Sequence, residues 1–193
     1  HQTSLQILDC YSNDLHILAI KNGIGNGNQL QFFGNPNLEF ICVDEAEVQM
    51  VQLLLTTYGN VGCVVNTYCS FTPGGNYNTI TGNVKYDSDN NGCDVTDIIP
   101  TNVRFNINDG TTTGATFADN NGDYIFYTQA GSFDITPMIE NPTWFTFSPT
   151  SATIPFVDNN NNSATQNFCI TPVGLHQDLE IVLVPIFPAR PGF

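Results

Sequence analysis

The chain has 193 residues, room for one large or two small domains, and its 41% hydrophobic fraction supplies a real core. Eighteen acids face four bases, for a formal net charge of -14. The bases, Lys21, Lys85, Arg104 and Arg190, form no cluster that could displace counterions from nucleic acid, and an anionic membrane surface repels such a chain.

Charged residues make up only 11%, against about 25% in ordinary intracellular proteins, while Asn, Thr and Gly abound. That balance suits turn-rich extracellular β modules. The six cysteines, Cys10, Cys42, Cys63, Cys69, Cys93 and Cys169, include no Cys-x-x-Cys pair. They point to disulfides in an oxidising compartment rather than to a zinc ribbon or a thioredoxin-like site. No run approaches the roughly 20 apolar residues of a membrane span, and no secretory leader is present. His1 falls inside what reads as a repeat, so the chain is taken as a fragment of a longer protein.

Residues 5–18 carry Leu5, Leu8, Cys10, Asn13, Leu15 and Leu18 at leucine-rich repeat spacing. Leu8 and Cys10 are expected to face inward, with Asn13 satisfying backbone groups of neighbouring turns. A second turn follows through Leu30, Phe33 and Leu38, bent at Asn35-Pro36-Asn37. Two turns cannot bury their apolar faces alone, so the end of a longer solenoid is expected. Ile41-Cys42-Val43 reads as its last strand. Asp44, with Glu47 three residues on, then opens a capping helix over Glu45–Tyr58. Val48, Val51, Leu54, Leu55 and Tyr58 share one face of that helix, and Gly59 ends it. Cys42 and Cys63 flank the helix, and a bridge between them is expected to staple the cap, worth roughly 3 kcal/mol by chain entropy.

Residues 64–78 read as a linker, with Cys69 and Pro73-Gly74-Gly75. From Thr79 the period becomes that of strands, at 79–86, 103–107, 115–118, 123–128, 132–136, 144–147, 151–156, 165–171 and 179–184. Asn121-Gly122 signals a two-residue hairpin between Phe117 and Tyr124, and Asp158 through Asn162 a solvated loop. Short antiparallel strands at this spacing argue a β-sandwich. The expected fold is therefore mainly β: a repeat end and helical cap over 1–63, a joint over 64–78, a sandwich over 79–187, and a tail over 188–193 leading to a further domain.

With those residues in view, 5–43 resemble the leucine-rich repeats of secreted Bacteroidetes surface proteins, through Asn35-Pro36-Asn37-Leu38 and Ile41-Cys42-Val43-Asp44. Residues 79–184 are similar to transthyretin-like or Cna-B-like (SdrD-type) sandwich modules, an Ig-like architecture. The similarity rests on Ile80-Thr81-Gly82-Asn83-Val84 with the acidic loop after it, and on Ala118 through Phe126 leading to Ala130-Gly131-Ser132-Phe133-Asp134-Ile135. The resemblance implies a large, exported, multidomain surface protein or adhesin and no catalytic residues.

The segment Asp87-Ser88-Asp89-Asn90-Asn91-Gly92-Cys93-Asp94-Val95-Thr96-Asp97 is the strongest chemical signal. Asp87, Asp89 and Asn91 match positions 1, 3 and 5 of an EF-hand loop, with Gly92 at the sharp turn and Cys93 offering its backbone carbonyl. Ile98 stands where a bidentate Glu belongs, so Asp94 and Asp97 are the candidates to complete a different wrap. A calcium clasp and a bare Asn/Asp-rich turn both fit. The resemblance to SdrD-type modules, which hold calcium in a comparable loop, favours the clasp.

Other chemistry is thin. His1, His16 and His176 are scattered, and no nucleophile elbow, phosphate loop or metalloprotease motif is present. Asp178 and Glu180 alternate on one expected strand face. Phe145 and Phe147 are expected to pack inward, leaving Trp144 outside or at an edge as a possible sugar-stacking residue. Cysteine pairing beyond Cys42–Cys63 stays open, with Cys93–Cys169 the pairing carried forward and Cys10 a free buried thiol. The expected function is a non-enzymatic adhesion, ligand-presenting or stalk module at the cell surface, with a protein or glycan partner. The alternative is an accessory or carbohydrate-binding domain of a secreted hydrolase.

Overall fold

The computed structural model describes residues 5–23 and 29–176. Within them the chain is mainly β, with several sheets and one short α-helix. The expected strand at 179–184, with Asp178 and Glu180, lies outside the described residues, as does His1.

The first half holds β1 (Leu8–Asp9), β2 (Ile17–Ala19), β3 (Leu30–Gln31) and β4 (Phe40–Cys42), then a 3-10 turn (Glu45–Glu47), α1 (Val48–Tyr58) and β5 (Val64–Asn66). β1 lies parallel to β3, and β2, β4 and β5 form a second parallel ladder. Each turn of chain is thus laid on the one before. Leu30, Phe32, Leu38, Ile41 and Val43 are buried between the ladders, with Leu8, Cys10, Leu15 and Leu18 half-buried against them. Phe32, not Phe33, takes the core slot of the second turn. Phe33 is exposed and lies flat on Tyr11, ring centroids 4.8 Å apart.

The asparagine that ties the turns together is also not the one expected. Asn13 is exposed and donates only to Cys10 and Tyr11 of its own turn. Asn35 is buried; its Nδ2 donates to the carbonyls of Cys10 (3.0 Å) and Phe32 (2.8 Å), and its Oδ1 accepts Leu15 N–H at 3.1 Å. Asn60 continues the series one turn on, donating to the Leu38 carbonyl at 3.2 Å.

The cap follows local chemistry closely. Asp44 N–H donates to Glu47 Oε2, and the Asp44 carboxylate takes the N–H groups of Asn22 and Gly23. Val51 and Leu55 are buried, with Val48, Leu54 and Tyr58 packed beside them. Gly59 adopts φ 77°, Asn60 N–H reaches Leu55 O, and Gly59 N–H reaches Thr56 O, a Schellman ending. The chain does not stop at β4, however, because β5 adds a further parallel strand beyond the helix.

That strand decides the cysteine pairing. β5 pairs Phe40 with Val64 and Cys42 with Asn66, which leaves Cys63 short of Cys42 along the ladder. Cys69, just past the strand, bonds Cys42 instead, with Cα atoms 5.8 Å apart; Cys63 and Cys10 are free and half-buried. The expected Cys42–Cys63 bridge is therefore replaced by Cys42–Cys69.

The second half has β6 (Asn78–Tyr86), β7 (Arg104–Asn108), β8 (Thr113–Phe117), β9 (Asp123–Thr128), β10 (Gly131–Met138), β11 (Phe145–Ser148), β12 (Ala152–Phe156), β13 (Ser163–Thr165) and β14 (Phe168–Pro172). One antiparallel sheet runs β12-β10-β7-β8; the other runs β11-β14-β6-β13, with β9 also on β6. Their inward residues, among them Ile80, Val84, Phe105, Tyr124, Phe133, Ile154 and Phe168, make a single core, as in a β-sandwich.

Two connections depart from expectation. The Asn121-Gly122 turn does not close a hairpin within one sheet; it carries the chain from β8 to β9 in the other sheet. Asp119 Oδ1 accepts the N–H groups of Asn121 and Asp123, so the turn is satisfied whichever sheet follows. The expected strand 165–171 is split into β13 and β14, and both run parallel to β6, not antiparallel. The split falls opposite Gly82, where the Gln166 carbonyl and the Tyr124 ring fill the space of a Cβ. The 158–162 loop is organised by buried Asn78, whose Oδ1 accepts Asn162 N–H and whose Nδ2 donates to Asp158 O.

The joint between the halves is packed on both sides. Lys21 is buried, its Nζ meeting Glu45 Oε1 at 2.6 Å and Thr67 O at 2.8 Å. Tyr68 sits over Gly114, where its ring occupies the place of a side chain, and donates its hydroxyl to Asp109 Oδ2 at 2.9 Å. Asn66 Nδ2 reaches the Thr113 carbonyl. Burial, then the Asp109 contact, push the Tyr68 hydroxyl pKa up. Burial alone would raise Asp109, but the N–H and hydroxyl donors of Thr112, Thr111 and Tyr68 outweigh it and hold its carboxyl below the usual range.

Replacing Asn35 with Ala orphans the Phe32 carbonyl and the Leu15 N–H and leaves the Cys10 carbonyl only its Asn13 donor, at an expected cost of about 2–3 kcal/mol by chemical denaturation; Asn13→Ala costs under about 0.5 kcal/mol. Because Asp109 is depressed, its contribution is present above about pH 4 and lost as pH falls through its folded value. Tyr68→Phe is expected to shrink that acid-side loss, read as a flatter stability profile below about pH 4.

Candidate metal loop and adjoining cleft

β6 leaves its sheet at Tyr86, and the loop that follows is closed at its base by Tyr86 N–H to Ile98 O at 2.9 Å. Asp87 N–H donates to Ile170 O on β14, which draws Asp87 into the protein, and the residue is buried. Its two carboxylate oxygens accept Asn91 N–H (3.1 Å) and Gly92 N–H (2.9 Å). The chain can turn back this tightly because Asn90 and Gly92 take left-handed φ values of 59° and 98°. The expected Cys93–Cys169 bridge is present, with Cα atoms 5.6 Å apart, and ties the middle of the loop to β14.

Of the six residues assigned to the metal, three converge. One carboxylate oxygen each from Asp87, Asp89 and Asp97 lie within 4.8 Å of one another, grading from buried Asp87 through half-buried Asp97 to exposed Asp89. Asp97 is thus the residue that returns to close the wrap where Ile98 cannot. Asp94 is not in the cluster. Its Oδ1 accepts the hydroxyl and the N–H of Thr96, both at 2.7 Å, and these bonds hold its carboxyl below the usual carboxylate range. Asn91 Nδ2 donates to Asp89 Oδ2 at 2.9 Å. Cys93 has its sulfur in the disulfide, which leaves its carbonyl as the only donor for a cation. Among the described residues no Lys or Arg pairs with the three clustered acids. The donors are all hard oxygens, as calcium or magnesium requires.

Trp144 stands beside this loop. It is half-buried and stacked on His176, centroids 4.7 Å apart and planes 3° from parallel. Phe145 and Phe147 pack against the sandwich core, as expected from the alternation. Trp144 shares a cleft with Tyr86 and Ser88, from the start of the acidic loop, and with Asn102 and Glu140. Sequence reading missed these partners because they are spread from residue 86 to residue 176 and carry no motif. Among the described residues no helix is long and apolar enough to cross a membrane.

No family model and no curated protein matches the chain. Among solved structures, the TIE protein of Bacillus anthracis is similar at a TM-score of 0.37 and 14% identity, over 57% of this chain and 20% of that one. A likeness of that degree carries no argument about function.

Replacing Cys93 and Cys169 together with Ser opens a loop of 76 residues. The expected loss is about 4 kcal/mol in the chain-entropy model, read by denaturation, with faster amide exchange confined first to the acidic loop.

Proposed function

We propose that the chain is a non-catalytic module of an exported surface protein, in which the end of a leucine-rich repeat array is joined stiffly to a Cna-B-like sandwich stiffened by calcium. The observation that carries this reading is the joint. Cys42–Cys69 anchors the chain to β4, and the very next residue back, Tyr68, is seated on the sandwich at Gly114 and Asp109. A bonded staple beside a packed plug fixes the angle between two binding or spacing elements, which suits a presenting or stalk role.

Two further features support it. The disulfides fit an oxidising, extracellular compartment. Asp94, Asp109 and Asp119 each accept backbone N–H groups of their own turns, a structural use of acids.

Asp87, Asp89 and Asp97 would hold the calcium in the acidic loop, with the Asn91 amide oxygen and the Cys93 carbonyl as the further oxygen donors that the loop's sequence offers. Bound there, the ion supplies positive charge that relieves the mutual repulsion of the carboxylates. The residues do the rest: Asp87 is positioned by Ile170, and the loop is held by Cys93–Cys169.

Millimolar calcium is expected to raise the melting temperature by several degrees, reversed by chelator, as a ligand at about 100 times its dissociation constant adds about 2.7 kcal/mol. Asp87→Asn and Asp97→Asn are expected to abolish the shift, whereas Asp94→Asn keeps it. An unchanged melting curve with calcium and with chelator overturns the clasp.

A further inference from the structure

We propose that the cleft at Trp144 is a binding site for a neutral saccharide. The platform is built before any ligand arrives. Trp144 N–H donates to Asn141 O at 2.9 Å, and Trp144 O accepts Val173 N–H at 2.7 Å, so its backbone is tied on both sides. The His176 ring that stacks on the indole is itself fixed, its Nε2 lying 2.7 Å from Val173 O. The indole therefore holds one orientation through contacts that a ligand does not have to supply. Tyr86 and Phe145, which line the same cleft, meet edge to face, centroids 6.0 Å apart.

The cleft is open to solvent on one side and measures about 790 Å³, within the range of small-ligand sites. Its wall combines that aromatic surface with Ser88, Asn102 and Glu140. A pyranose has the matching chemistry: a face of C–H groups that packs on an aromatic ring and a rim of hydroxyls that donate to a carboxylate and pair with an amide. Among the described residues Glu140 is the one carboxylate lining the cleft, and the whole chain carries a net charge of -14. That field repels sialylated, uronic or sulfated sugars and leaves neutral ones. None of Asp87, Asp89 and Asp97 lines the cleft.

Trp144 is the chain's one tryptophan, so intrinsic emission reads the cleft directly. The full chain is titrated with neutral oligosaccharides of glucose, galactose, mannose and N-acetylglucosamine, and in parallel with a sialylated glycan and an extended peptide. The expected result is a saturable emission change with at least one neutral sugar, weakened about tenfold by Glu140→Gln or Asn102→Ala. Trp144→Ala is expected to abolish binding by calorimetry. If that variant does not fold, His176→Ala frees the indole and is expected to weaken the same sugar. No emission change with any neutral sugar at millimolar concentration overturns the proposal. So does equal affinity in Glu140→Gln and Asn102→Ala, or a response to the peptide or the sialylated glycan alone.

Discussion

Strand β6 is hydrogen-bonded along both edges: β9 runs antiparallel on one side, and β13 and then β14 run parallel on the other. Parallel pairing with strands this distant in sequence closes a long stretch of chain, so β6 is the seam on which the second half meets. At its centre Gly82 lets the Gln166 carbonyl and the Tyr124 ring come in where a side chain would stand. At its start Asn78 bonds the 158–162 loop; at its end Tyr86 and Asp87 deliver the acidic loop and one wall of the cleft. Both candidate sites therefore inherit their geometry from one strand.

The first half reaches the sandwich through few residues, on the sheet that does not hold β6. Thr67, Tyr68 and Cys69 are consecutive, and they respectively accept from buried Lys21, plug the sandwich, and bond Cys42. A bend here would strip a buried ammonium of one acceptor and expose an aromatic ring at the same time, so the joint resists motion by coupled costs rather than by any single strong bond.

What the sequence made legible was local. Asp44, Glu47 and Gly59 announce the helix because caps are satisfied by neighbours in the chain, and the strands after Thr79 are set off by turn residues whose chemistry is equally near at hand. What it hid depends on register between distant segments. Cys42 chooses Cys69 over Cys63 because β5 slides in at Val64, a pairing with no sequence mark. Asn35 outranks Asn13 because its amide bridges Cys10 and Leu15 of the preceding turn to Phe32 of its own, a pairing that sequence spacing does not mark. Phe32 and Phe33 are adjacent aromatics, and one-residue register alone sends the first inside. The acidic loop was readable as a cluster, yet Thr96 captured Asp94, and only Asp97 returned to join Asp87 and Asp89. The cleft around Trp144 was invisible because its wall is assembled from segments that never meet in the chain.

The burial of Lys21 reaches beyond the joint. It is one of four cations in the chain, and its charge is cancelled at Glu45, so the formal net charge of -14 is carried wholly by acids that Lys21 does not relieve. Neighbouring copies repel over about a Debye length, roughly 8 Å at physiological ionic strength and longer in dilute media. Lateral spacing in any dense layer of these molecules then becomes a function of dissolved salt: the layer spreads in fresh water and tightens in brine.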